Sequence, residues 1–365
     1  MPFDTMFFFF VFVYINDHDW GNYFEQDDDK YKSSCNNINN DNDACRIDNN
    51  FPNPKIYLYQ CIFMHISDRA ISIEKRAILM ICECKFENVT KTTDTGGTIQ
   101  YAFLRNNDLD SSIVLLRVCA SNAITTDTKF SNYGTGSFGV FYNDATDGKN
   151  ILEQCSIFNY QSKRMRTIEF GTTSEVSISN FNLSYCRAKD TAAIYAFPPS
   201  SFKPKLLIKY TTIYSNENNE KGNSIFVSKY TTNISICNII NNSQNQNAYY
   251  IFNFIISDVT ISDSIIFNNL LPRGGVMFYD SERTDYEHTI INVIHCLIDQ
   301  TNHTRLTLNT DKISTNSFSN FYNYDTKACL LIPIDENEVR EEEKIRQMCT
   351  CDFDWRAYKR SGNRI

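Results

Sequence analysis

Three histidines and one cysteine in the C-terminal third of the chain are the first candidates for chemistry, because imidazole and thiolate are the ligands that zinc prefers. His288, His295, Cys296 and His303 lie close together, but their spacing fits no zinc pattern. In a strand, His295 and Cys296 would point to opposite faces and could not line one cavity. The sequence therefore predicts no metal site.

Carboxylate pairs are the second candidates, because glycoside hydrolysis needs two of them flanking the bond that breaks. An NTD segment at residues 309–311 has the form of a polygalacturonase motif, but the DD, GHG and RIK motifs of those enzymes do not follow it. Asp258, Asp263 and Asp280 could supply calcium ligands, yet the strand pattern places them on different faces. No catalytic residue and no cofactor site is predicted.

Cysteines are the third candidates. There are 13 in the chain, an odd number, so at least one thiol is unpaired within it. Cys349 and Cys351 are too close for a CxxC redox motif and lack its strand and helix context. Chemistry at these thiols is therefore not expected, and the positions of the other cysteines matter more for the fold.

The elements that carry these residues follow a repeat. One position, here called the cysteine column, recurs with a mean spacing of about 28 residues and is followed two residues later by an apolar side chain. Cysteine holds six of its ten places. They are Cys61, Cys84, Cys119, Cys155, Phe181, Thr211, Cys237, Asp263, Cys296 and Asn316.

Runs of alternating apolar residues precede each place in the column, such as ILMICEC and NISIC, and a second run follows in most copies, such as RTIEFGT and GGVMFYD. This period of two is typical of strands with one buried face. The polar links between runs do not mirror as hairpins do, and the chain holds only 12 Gly. We therefore predict an all-β, right-handed parallel β-helix of about ten turns, with two or three strands per turn.

The turns between these strands are rich in asparagine. We expect this side chain to bond to the next turn or to its own backbone and to tolerate a left-handed φ. The residues concerned are Asn88, Asn159, Asn216, Asn241, Asn242, Asn268 and Asn269. Stacked in register, the column cysteines would point the same way, so we expect a buried thiol ladder in preference to disulfides, which stay the alternative.

The chain divides into four segments. Residues 1–15 contain the apolar run MFFFFVFVYI, which suits a signal peptide although no basic residue precedes it, and a buried N-terminus is the alternative. Residues 16–54 form a polar, Asn/Asp-rich leader that we expect to be disordered. The β-helix spans 55–325, and residues 326–365 hold a short helix and a tail.

Charge and composition limit the kinds of partner that the chain is expected to bind. The net charge is −8 without a Lys/Arg cluster, so nucleic acid is not expected, and no run is long enough to span a membrane as a helix. Five glycosylation triplets would be usable if the chain is secreted. They begin at Asn88, Asn182, Asn233, Asn241 and Asn302.

Two copies of the repeat carry a more specific pattern: FEN at residues 86–88 with GGTI at 96–99, and FNN at 267–269 with GGVM at 274–277. This pattern resembles the FxxN and GGA-apolar repeats of polymorphic membrane proteins of bacteria and trichomonad protozoa, with Thr98 and Val276 where that family has Ala. The resemblance implies a pectin-lyase-like β-helix and an adhesin-like role at the cell surface.

The expected function is therefore a non-enzymatic interaction protein, extracellular or on the cell surface. Exposed Tyr and Asn side chains on a long face would bind a glycan or a protein. The alternative is a polysaccharide lyase or glycosidase on the same fold, which a converging carboxylate pair in a groove would favour. The sequence predicts no oligomeric state.

Overall fold

The protein is described by a computed structural model. It describes residues 45–46, 55–59, 61–67, 69–73, 77–91, 97–102, 111–126, 136–143, 148–162, 166–198, 203–219, 222–245, 250–280 and 289–299. These residues belong to the first of two compact units, Met1–Cys329. The predicted C-terminal helix and the column position Asn316 lie outside the described residues, as does the predicted leader except for Cys45–Arg46. These two residues form a strand that pairs with Ile71 and Ser72, so the prediction of disorder is wrong for them.

Four parallel sheets make up the described part of the chain, and three of them have nine strands each. Sheet 1 contains Cys45–Arg46, Ile71–Ile73, Ile99–Ala102, Gly136–Asn143, Arg166–Thr172, Thr191–Ala196, Asn223–Ser228, Tyr250–Ile255 and Val276–Asp280. Sheet 2 contains Lys55–Tyr59, Ile78–Cys82, Ser112–Leu116, Asn150–Glu153, Val176–Ser179, Lys205–Lys209, Thr231–Ser235, Asp258–Ser262 and Ile290–Ile294. Sheet 3 contains Ile62–Met64, Lys85–Glu87, Cys119–Ser121, Ser156–Phe158, Asn182–Ser184, Thr212–Tyr214, Asn238–Ile240, Ile265–Phe267 and Leu297–Ile298.

Sheet 4 is short, with two-residue strands at Thr90–Lys91, Ile124–Thr125, Gln161–Ser162, Arg187–Ala188, Glu217–Asn218 and Ser243–Gln244. The chain visits sheets 1, 2, 3 and 4 in turn and then returns to sheet 1, so each circuit lays one rung on the one before. We number the rungs 1 to 9 by the order of strands within sheets 1 to 3. The predicted parallel β-helix is confirmed, with nine rungs among the described residues.

The register corrects two places in the cysteine column. Lys85 pairs with Cys119, so Val118 and not Cys119 lies over Cys84. Ile265 pairs with Leu297, so Ser264 and not Asp263 lies under Cys296. Residue type alone suggested Cys119, but the sheet 3 strand begins at Cys119 itself, whereas in the other cysteine rungs it begins one residue after the cysteine. The column in the structure is Cys61, Cys84, Val118, Cys155, Phe181, Thr211, Cys237, Ser264 and Cys296.

Two left-handed columns form the corners on either side of sheet 3. The first directly precedes the cysteine column and has φ between 50° and 55° at Glu83, Arg117, Gln154, Asn180, Tyr210, Ile236, Asp263 and His295. The second follows sheet 3, with φ between 51° and 57° at His65, Asn88, Asn122, Asn159, Tyr185, Ser215, Asn241 and Asn268. Asn is favoured in this conformation, which explains its frequency in the second column.

Five of the six cysteines predicted to form a buried thiol ladder are buried and free, and Cys119 is the exception. Each of these five thiols also donates a hydrogen bond to the backbone carbonyl two residues earlier, which the left-handed turn leaves available. Cys155 Sγ donates to Glu153 O at 3.1 Å, and Cys237 Sγ donates to Ser235 O at 3.2 Å. The hydroxyl of Ser264 makes the same contact with Ser262 O at 2.7 Å. Seven of the nine places in the column thus hold a small side chain that donates in this way, and Val118 and Phe181 are the exceptions. Cys119, which lies outside this column, is disulfide-bonded.

A buried asparagine ladder supports the corner between sheets 3 and 4. Asn216, Asn242 and Asn269 are each 0% exposed. Asn216 Nδ2 donates to Asn242 Oδ1 at 3.0 Å, and Asn242 Nδ2 donates to Asn269 Oδ1 at 3.0 Å. The same oxygens accept the backbone N–H groups of Asn216 and Asn242. The predicted bonding of asparagine between turns is thus confirmed.

Two apolar clusters hold the rungs together. The larger fills the interior with the inward side chains of sheets 1, 2 and 3. The smaller lies on the opposite face of sheet 2 in its first three rungs and consists of Tyr57, Met80, Cys82, Val114 and Leu116. In the described part of the chain no helix is long and apolar enough to cross a membrane.

Candidate functional site

The outer face of sheet 1 carries the functional groups that stand out in the structure. Side chains alternate across a strand, and in this sheet the residues flanking each outward position belong to the interior cluster. One outward row runs through successive rungs in register. Its members are Gln100, Val140, Glu169, Tyr195, Phe226, Asn253 and Tyr279.

The exposure of the side chains in this row changes along the sheet. Gln100, Val140 and Glu169 are at most 2% exposed, so the outer face is covered in these rungs. From Tyr195 to Tyr279 the side chains are partly exposed. We call Tyr195, Phe226, Asn253 and Tyr279 the sheet 1 surface. It is the open part of an otherwise closed face.

The aromatic rings of this surface stack along the row. Tyr195 and Phe226 have ring centroids 4.4 Å apart at 7°, and Tyr279 stacks on Tyr250 at 3.8 Å and 13°. Because ring faces are used in these stacks, the surface presents ring edges to solvent. Among the described residues, Asn253 Oδ1 is buried and has no hydrogen-bond partner.

A charged cluster borders the covered end of the surface. Arg166 bonds to the carboxylate of Glu169 and, through Nε, to Asp190 Oδ2 at 3.5 Å. Its guanidinium lies 3.2 Å from the centroid of the Tyr195 ring, a cation–π contact. Tyr142 donates its hydroxyl to Glu169 Oε1 at 2.5 Å. One guanidinium thus ties two carboxylates to the start of the aromatic row.

Burial governs the protonation of this cluster. Desolvation raises the pKa of Asp190 above its usual value, although Arg166 opposes the shift. Desolvation also raises the pKa of Tyr195 to about 12 and that of Tyr142 further. Desolvation is the largest single effect on the Arg166 guanidinium and lowers its pKa, but the combined attraction of Glu169, Tyr195, Asp190 and Tyr142 outweighs it, so the pKa is raised. The two phenols therefore stay neutral and act as hydrogen-bond donors at neutral pH.

A glycine makes the cluster possible. Tyr142 pairs in register with Gly171, and a Cβ at Gly171 would lie 2.2 Å from Tyr142 Cε1. Any larger residue would push the ring away from Glu169. The Tyr142 hydroxyl therefore reaches the buried carboxylate across a position that has to lack a side chain.

The residues that the sequence analysis considered as metal ligands or catalytic groups lie outside the sheet 1 surface. His295 is exposed at the first left-handed column, with Nδ1 3.6 Å from Asp263 Oδ1, whereas Cys296 is 2% exposed in the interior. The two point to opposite sides, as predicted. Asp258 lies 3.8 Å from Lys203 Nζ on sheet 2, at a different face from Asp263. Within the described residues no group of three or more His, Cys, Asp or Glu could hold a metal.

Sequence reasoning missed Arg166, Glu169 and Asp190. A signal was present, because the run RTIEFGT places a glutamate in the middle of an apolar strand. Buried charges in such positions are paired. The partner Asp190 comes from the next rung, and only the register of sheet 1 brings it to Arg166.

The fold and this surface define a class: a parallel β-helix with a partly open aromatic and amide row on one outer sheet. Comparisons with family models, curated proteins and solved structures give no match for this chain. The resemblance to polymorphic membrane proteins stays a prediction.

Proposed function

We propose that the chain is a non-enzymatic interaction protein that binds a glycan or a protein through the sheet 1 surface. The observation that carries this proposal is the open row itself. Tyr195, Phe226 and Tyr279 offer partly exposed apolar rings and two hydroxyls, and the partly exposed amide of Asn253 lies between them. Rigid aromatic groups interleaved with polar groups suit a binding surface, since little side-chain freedom is lost on contact.

The proposed setting is the cell surface or the extracellular space, with an adhesin-like role. The support is the repeated FEN and FNN corners and the resemblance that they carry. A long stack of equivalent rungs also suits adhesion, because it presents an extended face at fixed spacing.

An enzymatic alternative has one specific observation in its favour, the convergence of Glu169 and Asp190 on Arg166. Two features weigh against it. Glu169 is 0% exposed, so a glycosidic oxygen would have no access to it. Glu169 Oε1 also already accepts hydrogen bonds from Arg166 and Tyr142, so it is engaged within the protein and not directed at a substrate.

The test uses the full chain in a glycan-binding and protein-binding screen, run beside a reducing-sugar release assay on polysaccharides. We expect a bound ligand and no released sugar. Phe226→Ala should weaken binding about tenfold, the loss of a well-placed aromatic contact. Ile290→Ala is the matched control, because Ile290 is 53% exposed on sheet 2. Sugar release that disappears in Glu169→Gln would establish the enzyme instead.

A further inference from the structure

A second row of aromatic side chains lies outside the sheet 1 surface, at the corner between sheets 3 and 4. Phe158 and Tyr214 are the outward ends of sheet 3 strands in rungs 4 and 6, and Tyr185 stands between them in the second left-handed column. Phe267 continues the line in rung 8. Tyr185 is 47% and Phe267 46% exposed. We call these four residues the corner row.

The rings of the corner row pack differently from those of sheet 1. Phe158 and Tyr185 have centroids 5.3 Å apart at 65°, and Tyr185 and Tyr214 lie 5.5 Å apart at 80°. In such edge-to-face contacts, each ring uses its edge or one face and not both faces. Tyr185 and Phe267, the most exposed rings of the row, therefore offer aromatic surface to solvent, whereas the Tyr195 ring of the sheet 1 surface has both Phe226 and Arg166 against it.

Polar side chains without charge border every ring. Asn159 and Asn122 are joined at 2.8 Å, and Asn268 and Asn241 at 2.6 Å, through their side-chain amides on the same corner. Hydrogen bonds from Ser215 and Asn241 lower the pKa of Tyr214, which places its hydroxyl among these groups. The corner thus alternates apolar ring faces with amide and hydroxyl groups.

Positive charge is not in excess at this corner. In rungs 4 to 8 the outward ends of sheet 3 and the second left-handed column hold no Lys, Arg, Asp or Glu. The neighbouring sheet 4 strands carry Arg187 and Glu217, which pair with each other at 3.0 Å, and at the rung 9 end the carboxylate of Asp299 accepts the Asn268 N–H at 2.6 Å. These residues therefore favour a neutral ligand over an anionic one.

We propose that the corner row binds a linear, neutral glycan that lies along the axis of the β-helix. A sugar ring has one apolar C–H face and hydroxyls around it, which matches an open aromatic face bordered by amides. Rungs repeat at about 4.8 Å, close to the repeat of an extended glycan chain, so one sugar unit corresponds to about one rung. The inference rests on the proposed function and names its ligand class and a separate site.

A protein partner fits this corner less well. Rungs 4 to 8 span only about 19 Å at the rung spacing, and the row is two residues wide. A specific protein interface buries about 800 Å² on each partner, far more than such a strip supplies. A chain-like ligand uses a narrow strip completely, whereas a globular partner would not.

The experiment titrates the full-length protein with linear hexasaccharides of glucose (β-1,4 and β-1,3), mannose and N-acetylglucosamine, with the matching disaccharides and a galacturonate hexamer. Tyr185→Asn is the test variant, because Asn already occupies this left-handed position in Asn88, Asn122, Asn159, Asn241 and Asn268, so the fold accepts it. Tyr210→Asn is the matched control. Tyr210 is 38% exposed with φ 51°, but it lies in the first left-handed column.

We expect at least one neutral hexasaccharide to bind more tightly than its disaccharide. Tyr185→Asn should weaken that binding about tenfold, and Tyr210→Asn should change it less than about twofold. The inference is wrong if no neutral hexasaccharide binds, if only the galacturonate hexamer binds, or if both variants behave alike. If glycan binding is lost in Phe226→Ala but kept in Tyr185→Asn, the glycan binds at the sheet 1 surface and not at the corner row. That result would overturn this inference and leave the proposed function standing.

Discussion

Replacing Asn242 by alanine tests whether the asparagine ladder stabilises the β-helix. Asn242 Nδ2 donates to Ile213 O at 2.9 Å and to Asn269 Oδ1 at 3.0 Å. Its Oδ1 accepts the backbone N–H of Asn216 at 3.1 Å and the Asn216 amide at 3.0 Å. Alanine removes all four contacts from a site that is 0% exposed.

The expected cost follows from the groups left without partners. The Asn216 N–H loses its side-chain acceptor, and the Ile213 carbonyl loses the Asn242 amide. A buried polar group without a partner costs about 1–3 kcal/mol, so the free energy of unfolding should fall by about 2–6 kcal/mol. Asn269 Oδ1 keeps the backbone N–H of residue 242, and that contact adds nothing to the loss.

The assay is urea unfolding followed by far-ultraviolet circular dichroism, with Asn233→Ala as the control. Asn233 is exposed in the sheet 2 strand Thr231–Ser235, so its variant should stay within about 0.5 kcal/mol of the parent. A stack of rungs can unfold in parts, so amide exchange near Ile213 and Ile239 should rise in Asn242→Ala before exchange in distant rungs. If the two variants prove equally stable, the ladder does not contribute as argued.

Three further outcomes are expected. The thiols of Cys155 and Cys237, whose pKa burial raises to about 12, should react with a maleimide at pH 8 only after urea unfolding, as mass spectrometry will show. Because the pKa of Asp190 is raised in the folded protein, ionisation of this carboxyl destabilises the fold as the pH rises from about 4. The melting temperature of Asp190→Asn should therefore rise relative to that of the parent protein between about pH 4 and 7. Gly222→Ala would bring a Cβ to 1.5 Å from Asp190 O and should lower stability by about 1–3 kcal/mol in urea unfolding; an unchanged midpoint would contradict that packing.

The fold was predictable because its signals are local and repeated. Alternation in runs such as NISIC marks inward positions, and Ile234 is indeed buried. Cys237, three residues later, is buried as well because the left-handed residue Ile236 shifts the phase. Recurring asparagines mark corners, and Asn88, Asn159, Asn241 and Asn268 all have the expected left-handed φ. These patterns depend on the residue and its neighbours in sequence, so no knowledge of the register is needed.

The register between neighbouring rungs could not be predicted from such local patterns. Cys119 looked like a member of the cysteine column, yet hydrogen bonding places Val118 there. Rungs differ in loop length, so a shift of one residue leaves little trace in the sequence and moves a side chain to the other face. The charged cluster was hidden for this reason, since Arg166 and Asp190 meet only after two rungs are aligned.

Inner and outer columns of the same rungs obey different constraints. Inside, most positions serve the backbone, such as the small donors at seven of the nine places in the cysteine column or the amides of the asparagine ladder. Outside, one row of sheet 1 places Glu169, Tyr195, Phe226 and Asn253 at paired positions of successive rungs. Folding therefore does not dictate the outer residues, and a substitution there can remove binding while the rungs stay in place. Variants of Phe226 and Tyr185 exploit that separation, because each changes a surface whose supporting backbone is fixed from within.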